Sequence, residues 1–168
     1  MKRNLIHINI GIITVNFNSA RDTMNLVESI NASKVKHDHI LCIVDNNSEE
    51  TSSTLVSNFL KEKNVNYKEL NFRINNQLNN DYVLHAANDW IACASKDLRV
   101  LLIKLDQNIG FAAANNIGVN ALSFIASHFL IVNNDVIVEE NLINELMCSF
   151  QRSNMCGIST GKIYIGKP

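Results

Sequence analysis

The 168 residues suit a single domain. With 46% hydrophobic and 18% charged residues, the chain can build a core and is too apolar for disorder. A formal net charge of −1, with lysine and arginine scattered, excludes a field that would recruit nucleic acid or acidic lipid. Cys42, Cys93, Cys148 and Cys156 show no C-x-x-C spacing, which reads as reduced thiols in a cytoplasmic protein. No secretory signal is expected. Met1-Lys2-Arg3 starts basic, but "NLIHINIGIITVNFN" is broken by His and Asn and alternates like a strand. No apolar run approaches the roughly 20 residues of a membrane helix.

In chain order, Ile8–Val15 is rich in β-branched residues and predicts a buried first strand, ended by "NFNS". Ser19 and Asp22 match a capping box, with Met24, Val27 and Ile30 at helical spacing behind them. "HILCIVDNNSEE" repeats the plan: a strand to Val44, a polar tip at Asp45-Asn46-Asn47, and a helix started by Ser48, Glu49 and Glu50. Leu55, Val56, Phe59 and Leu60 are its expected apolar face. Residues 61–97 are least regular and read as an insertion, with a short strand at "NYKEL", an Asn-rich loop, and a helix carrying Val83, Ala87, Trp90 and Ala94. "LRVLLIKL" predicts a strong strand, 106–110 a loop, 111–126 an Ala-rich helix, and Phe129–Val132 a further strand. Glu139–Phe150 predicts a helix with Leu142, Leu146 and Phe150 inward, and "GISTGKIYIG" a last strand or hairpin start. Strand–helix alternation of this kind predicts an α/β fold with a mostly parallel sheet flanked by helices.

In such sheets ligands bind beyond the C-terminal strand ends. The tips "NFNS", "DNNS", "DQNIG" and "NNDV" all follow strands and should share one edge. Asp135, flanked by amide oxygens, suits a hard divalent cation completed by phosphate oxygens and water, or simply caps a turn. Asp45 could accept an N–H from a pyrimidine or a ribose hydroxyl, or close an Asx turn with Asn47 or Ser48. Gly110 permits a tight backbone, and Asn115 and Asn116 put two amides near a helix's positive end. The pattern is neither the dinucleotide-binding G-x-G-x-x-G nor a P-loop, and no G-x-S-x-G elbow is present. The five histidines lack metal-ligand spacing.

Taken in order, "ITVNFNS", "CIVDNNSEE", "NIGFAAANNIGVNAL", "FLIVNNDVIVEENLINEL" and "GISTGKIY" resemble the family 2 glycosyltransferases with the GT-A fold, in their rhamnosyltransferase-like branch. The likeness spans about residues 8–60 and 98–165. It implies one Rossmann-like nucleotide-sugar-binding domain over residues 1–168. The implied activity moves a sugar from a UDP- or dTDP-type donor to an acceptor hydroxyl, with inversion, in surface polysaccharide synthesis. By resemblance, Asn16 and Phe17 border the base, Asp45 accepts its N–H, and Gly110 and Asn116 lie near the ribose and diphosphate. Asn133 and Asp135 hold Mg²⁺ or Mn²⁺, and the acceptor is a saccharide or lipid-linked saccharide. Peripheral membrane association is left open, and nucleic acid is not an expected partner. Asn133 stands where the family's triplet has its first acid, and Asn47 where it has Gly. The family's catalytic base would lie beyond Pro168, so the alternative is a truncated, non-catalytic nucleotide-sugar-binding or assembly module.

Overall fold

The computed structural model describes residues 8–74, 90–91, 98–153 and 155–161. Five strands form one parallel sheet: β1 (Ile8–Asn16), β2 (His39–Asp45), β3 (Asn66–Phe72), β4 (Arg99–Leu105) and β5 (Ala126–Ile131). Their spatial order is β3-β4-β2-β1-β5. The helices are α1 (Ala20–Ala32), α2 (Glu50–Glu62), α3 (Phe111–Leu122) and α4 (Leu142–Arg152). The expected α/β class with a parallel sheet is what the chain adopts. Of the stretch 61–97, residues 61–72 hold the end of α2 and the edge strand β3. The helix expected across 81–97 lies outside the described residues except at Trp90 and Ile91, which are helical.

Side chains alternate between the two faces, as strand pleating requires. Ile13, Val15, Cys42, Val44, Leu101 and Ile103 pack on one face under Ala114, Ala121 and Leu122 of α3, with Ile91 and the partly buried Trp90 beside them. Ile10, Ile12, Leu41, Ile43, Val100 and Leu102 pack on the other under α1, α2 and α4. Each fully buried Leu or Ile contributes about 1.5–3 kcal/mol, so the two clusters dominate folding. The central strands are buried almost throughout, whereas β3 and β5 are half-exposed edges.

Several local expectations shift. The Ser19–Asp22 box is not closed onto the backbone: Ser19 Oγ donates to the Asp22 carboxylate instead, and the Ser19 side chain caps no N–H. The buried stripe of α1 is Thr23, Leu26, Val27 and Ile30, with Met24 only half-buried. Leu55 of α2 is exposed. Helix α4 starts at Leu142, and Ile143, Asn144 and Met147 are its buried residues, with Leu142 and Phe150 packed partly at the side. Asn144 is turned inward because it ties two backbone groups: its Oδ1 accepts from Lys36 N–H (2.9 Å) and its Nδ2 donates to Lys34 O (2.7 Å). Helix α3 ends at Leu122, because β5 starts at Ala126 rather than Phe129. Residues 156–161 form no strand, and the rest of "GISTGKIYIG" lies outside the described residues.

The chain leaves β2 for α2 on one face and β4 for α3 on the opposite face. Since β2 and β4 are neighbours, their C-terminal ends form the point where the connections diverge, the position at which open α/β sheets leave a crevice.

Candidate cleft at the strand ends

Strand β1 ends in Asn16, fully buried. Its Nδ2 donates to Asp45 Oδ1 (3.3 Å) and to Ser48 Oγ (3.1 Å), and its Oδ1 accepts from Thr23 Oγ1 (3.0 Å). Asp45 is 3% exposed, and its Oδ1 also accepts the Ser48 N–H at 3.2 Å. That bond closes the 45–48 turn onto Ser48, in line with the second of the two readings the sequence allows. Asn18 extends the tie: its N–H donates to Ser48 Oγ (2.9 Å) and its Oδ1 accepts from Glu49 N–H (2.7 Å). The β1–α1 and β2–α2 loops are therefore stitched together by side chains.

Asn47, standing in the glycine position of the resembling motif, has φ +60°. Among non-glycine residues Asn is one of the few that adopt this left-handed region readily. The replacement keeps the turn rather than breaking it.

Asn46 is also 3% exposed. It donates its N–H to Asn16 O (2.9 Å) and its Nδ2 to Asn108 Oδ1 (3.0 Å), while its Oδ1 accepts from Ile109 N–H (3.0 Å). Asn108 Oδ1 accepts Gly110 N–H in turn, at 2.9 Å. On the β5 side the turn at 133–136 is closed by Val136 N–H to Asn133 O (3.4 Å). Asn134 points back, donating to Thr23 Oγ1 (3.0 Å) and Ser19 O (3.4 Å). Asn133 and Asp135 stay exposed.

These tips surround an open cleft of about 470 Å³. Its lining is Val15 and Phe17 from β1 and its loop, Asn46 after β2, Asn108, Gly110 and Phe111 at the start of α3, and Asn133, Asn134 and Asp135 after β5. Phe17 and Phe111 are 50% and 54% exposed and bring aromatic surface to the cleft lining. Asp135 is the one charged residue in this lining.

Of the residues singled out from the sequence, Phe17, Gly110, Asn133 and Asp135 meet in the cleft. Asn16 and Asp45 lie buried beside it and outside its lining, occupied with each other. Asn116 is exposed on α3 and does not line the cleft. Its neighbour Asn115 is the buried one: its Nδ2 donates to Phe111 O (3.0 Å), and its buried Oδ1 has no partner among the described residues. Sequence reasoning had Asn46, Asn108 and Asn134 in its polar strand tips and Phe111 in a quoted motif, but did not single any of them out as a site residue.

A divalent cation fits this edge in part. Asn133, Asn134 and Asp135 all line the cleft, and of the three Asn134 has its amide nitrogen committed to Ser19 O and Thr23 Oγ1. No group of three His, Cys, Asp or Glu residues that could hold a metal occurs among the described residues. A hard cation takes six or more oxygens, so a ligand's phosphate oxygens and water would have to supply most of the shell.

A second groove, about 460 Å³, lies at the other end of the strands between α1 and α2, lined by Val27, Phe59, Lys63, Asn66 and Leu98 among others. Lys63 there is paired with Glu28 at 2.7 Å and sits over the Phe59 ring. The strand-end cleft is the better candidate, because it has a carboxylate, Asp135, with no ion-pair partner among the described residues and the loop convergence that ligand sites in α/β sheets use.

Fold and cleft together define a parallel α/β domain with a ligand-sized opening at its carboxyl edge. Compared with known proteins, the chain matches no family model and no curated protein. Among the described residues, no helix is long and apolar enough to cross a membrane.

Proposed function

We propose that the strand-end cleft binds the nucleotide diphosphate part of a UDP- or dTDP-sugar, and that the chain serves sugar transfer to an acceptor hydroxyl with inversion. The supporting observation is the convergence of Phe17, Gly110, Asn133 and Asp135, from three of the resembling motifs, on one cleft. Phe17 and Phe111 offer faces on which a base or sugar can stack. The Asn16–Asp45–Ser48 cluster holds the first two loops in place behind them. Asn133 and Asp135 would hold Mg²⁺ or Mn²⁺ together with the diphosphate. A bound cation would supply charge neutralisation for a diphosphate leaving group. The setting fits a cytoplasmic enzyme of surface polysaccharide synthesis acting on a saccharide or lipid-linked saccharide.

A second reading is favoured by one observation. Inverting transfer needs a general base within hydrogen-bond reach of the acceptor hydroxyl, and Asp135 is the cleft's one carboxylate among the described residues. Glu140 is paired with Lys34, and Glu145 lies in the first turn of α4. On that reading the domain binds donor without turning it over. A thermal-shift screen of nucleotide sugars, with Mn²⁺ and with chelator, tests the shared part. Stabilisation by pyrimidine diphosphate sugars over guanosine ones supports it. Equal or absent shifts across the panel count against both readings.

A further inference from the structure

Asn46 is a polar side chain 3% exposed at the edge of an open cleft, and every bond it makes is to a neighbouring loop. Its amide nitrogen donates across to Asn108 Oδ1 and its amide oxygen accepts the Ile109 N–H, each at 3.0 Å. Asn108 Oδ1 then takes the Gly110 N–H at 2.9 Å. A carboxamide both donates and accepts, from two different atoms, so one residue closes the turn from both sides. What it fixes is the lead into α3. Gly110 there has φ +81°. It is held by its N–H to Asn108, while its carbonyl accepts the Ala114 N–H at 3.1 Å. Phe111 follows at once and forms the cleft wall with Gly110. Asn46 itself is anchored to β1 through its N–H to Asn16 O (2.9 Å). It therefore joins the diverging ends of β2 and β4 across the crevice.

We propose that Asn46 is a positioning residue for nucleotide binding: it sets the Asn108–Gly110 turn, and through it the Gly110–Phe111 wall of the cleft. The proposal rests on the nucleotide-binding reading above. Because Asn46 and Asn108 act as one unit, their losses are non-additive. Two independent direct contacts with the ligand would add.

The test titrates uridine diphosphate with Mg²⁺ into the full chain and into Asn46→Ala, Asn108→Ala and the double variant, alongside amide exchange at Ile109 and Gly110. Each single variant is expected to bind about tenfold more weakly, about 1.4 kcal/mol. The double variant should be no weaker than either single, and both amides should exchange faster in step. Asn108 is exposed, so Asn108→Ala carries the test if Asn46→Ala fails to fold. Unchanged affinity in Asn108→Ala, or additive losses in the double variant, overturns the proposal while leaving the nucleotide site standing. A wild-type chain that does not bind uridine diphosphate overturns the underlying reading, and the proposal with it.

Discussion

Asp45 and Asn46 are adjacent, equally buried, and differently employed: the first closes its own turn, the second reaches across to another strand's loop. The sequence signalled the polar tip but could not divide these roles, because the partner of Asn46 lies 62 residues away. Asn47 shows the reverse case. Its backbone φ of +60° is one that Asn adopts more readily than most residues, and it stands where the resembling motif has glycine. Asn47→Ala should lower unfolding free energy by about 1 kcal/mol, because alanine lacks the short polar side chain whose local hydrogen bonding lets Asn tolerate the left-handed conformation. Asn47→Gly should stay within a few tenths of that unit of wild type, as read from urea titrations. Asp45→Ala should weaken uridine diphosphate binding by about 1–3 kcal/mol, acting through the freed Asn16 and Ser48 that tie the first two loops. Unchanged uridine diphosphate affinity in this variant would show that the tie does not shape the cleft.

At the scale of elements, α3 lies close over β1 and β2 because Gly118 allows it. A Cβ at Gly118 would stand 2.7 Å from Ile13 Cγ2 and 3.3 Å from Val44 Cγ2. Gly118→Val should cost about 1–3 kcal/mol by overpacking, measured as a drop in urea midpoint. Gly110, by contrast, has open space around a Cβ, and its requirement is conformational. The Ala-rich composition of α3 made close packing legible in advance; the element responsible, a glycine two turns in, was not. The edge strand β3 was expected at "NYKEL" and runs two residues further, to Phe72, although its residues are mostly half-buried and its pattern mixes charge with apolar side chains. Glu69 on β3 bonds Lys104 of β4 at 2.9 Å and accepts from Ser57 Oγ at 2.8 Å. Burial pushes its carboxyl up, but those hydrogen bonds and the charges of Lys104 and Lys61 outweigh it and hold the pKa below the usual value. A depressed folded-state pKa means the unfolded chain takes up the proton first as pH falls. The contribution is therefore present above the ordinary carboxylate range and lost as pH drops through the lowered value. Glu69→Gln should flatten the stability profile between about pH 5 and pH 3, and an unaltered acid limb would show that the pair contributes nothing.

For the whole molecule, strand–helix alternation made the parallel α/β class legible, since two periodicities alternating along the chain leave few other architectures. The spatial order of strands was not legible, because it depends on β4 inserting between β2 and β3, a long-range pairing with no local signal. The same insertion creates the divergence of connections that opens the crevice. On the second reading, with Asp135 as the cleft's one carboxylate among the described residues, the chain should transfer sugar far below the usual enzyme turnover of about 10 s⁻¹ in a radiolabelled assay with saccharide and lipid-linked acceptors. Turnover near that value would place a base where none has been recognised. The most direct test of the nucleotide-binding account is titration calorimetry of uridine and deoxythymidine diphosphates, with Mg²⁺ and with chelator, on wild type and Asp135→Ala. The account predicts binding that tightens with the cation in wild type and loses that dependence in Asp135→Ala, with the fold intact because Asp135 is exposed. Equal affinity with cation and with chelator in the wild-type chain, or no binding of either nucleotide, would contradict it.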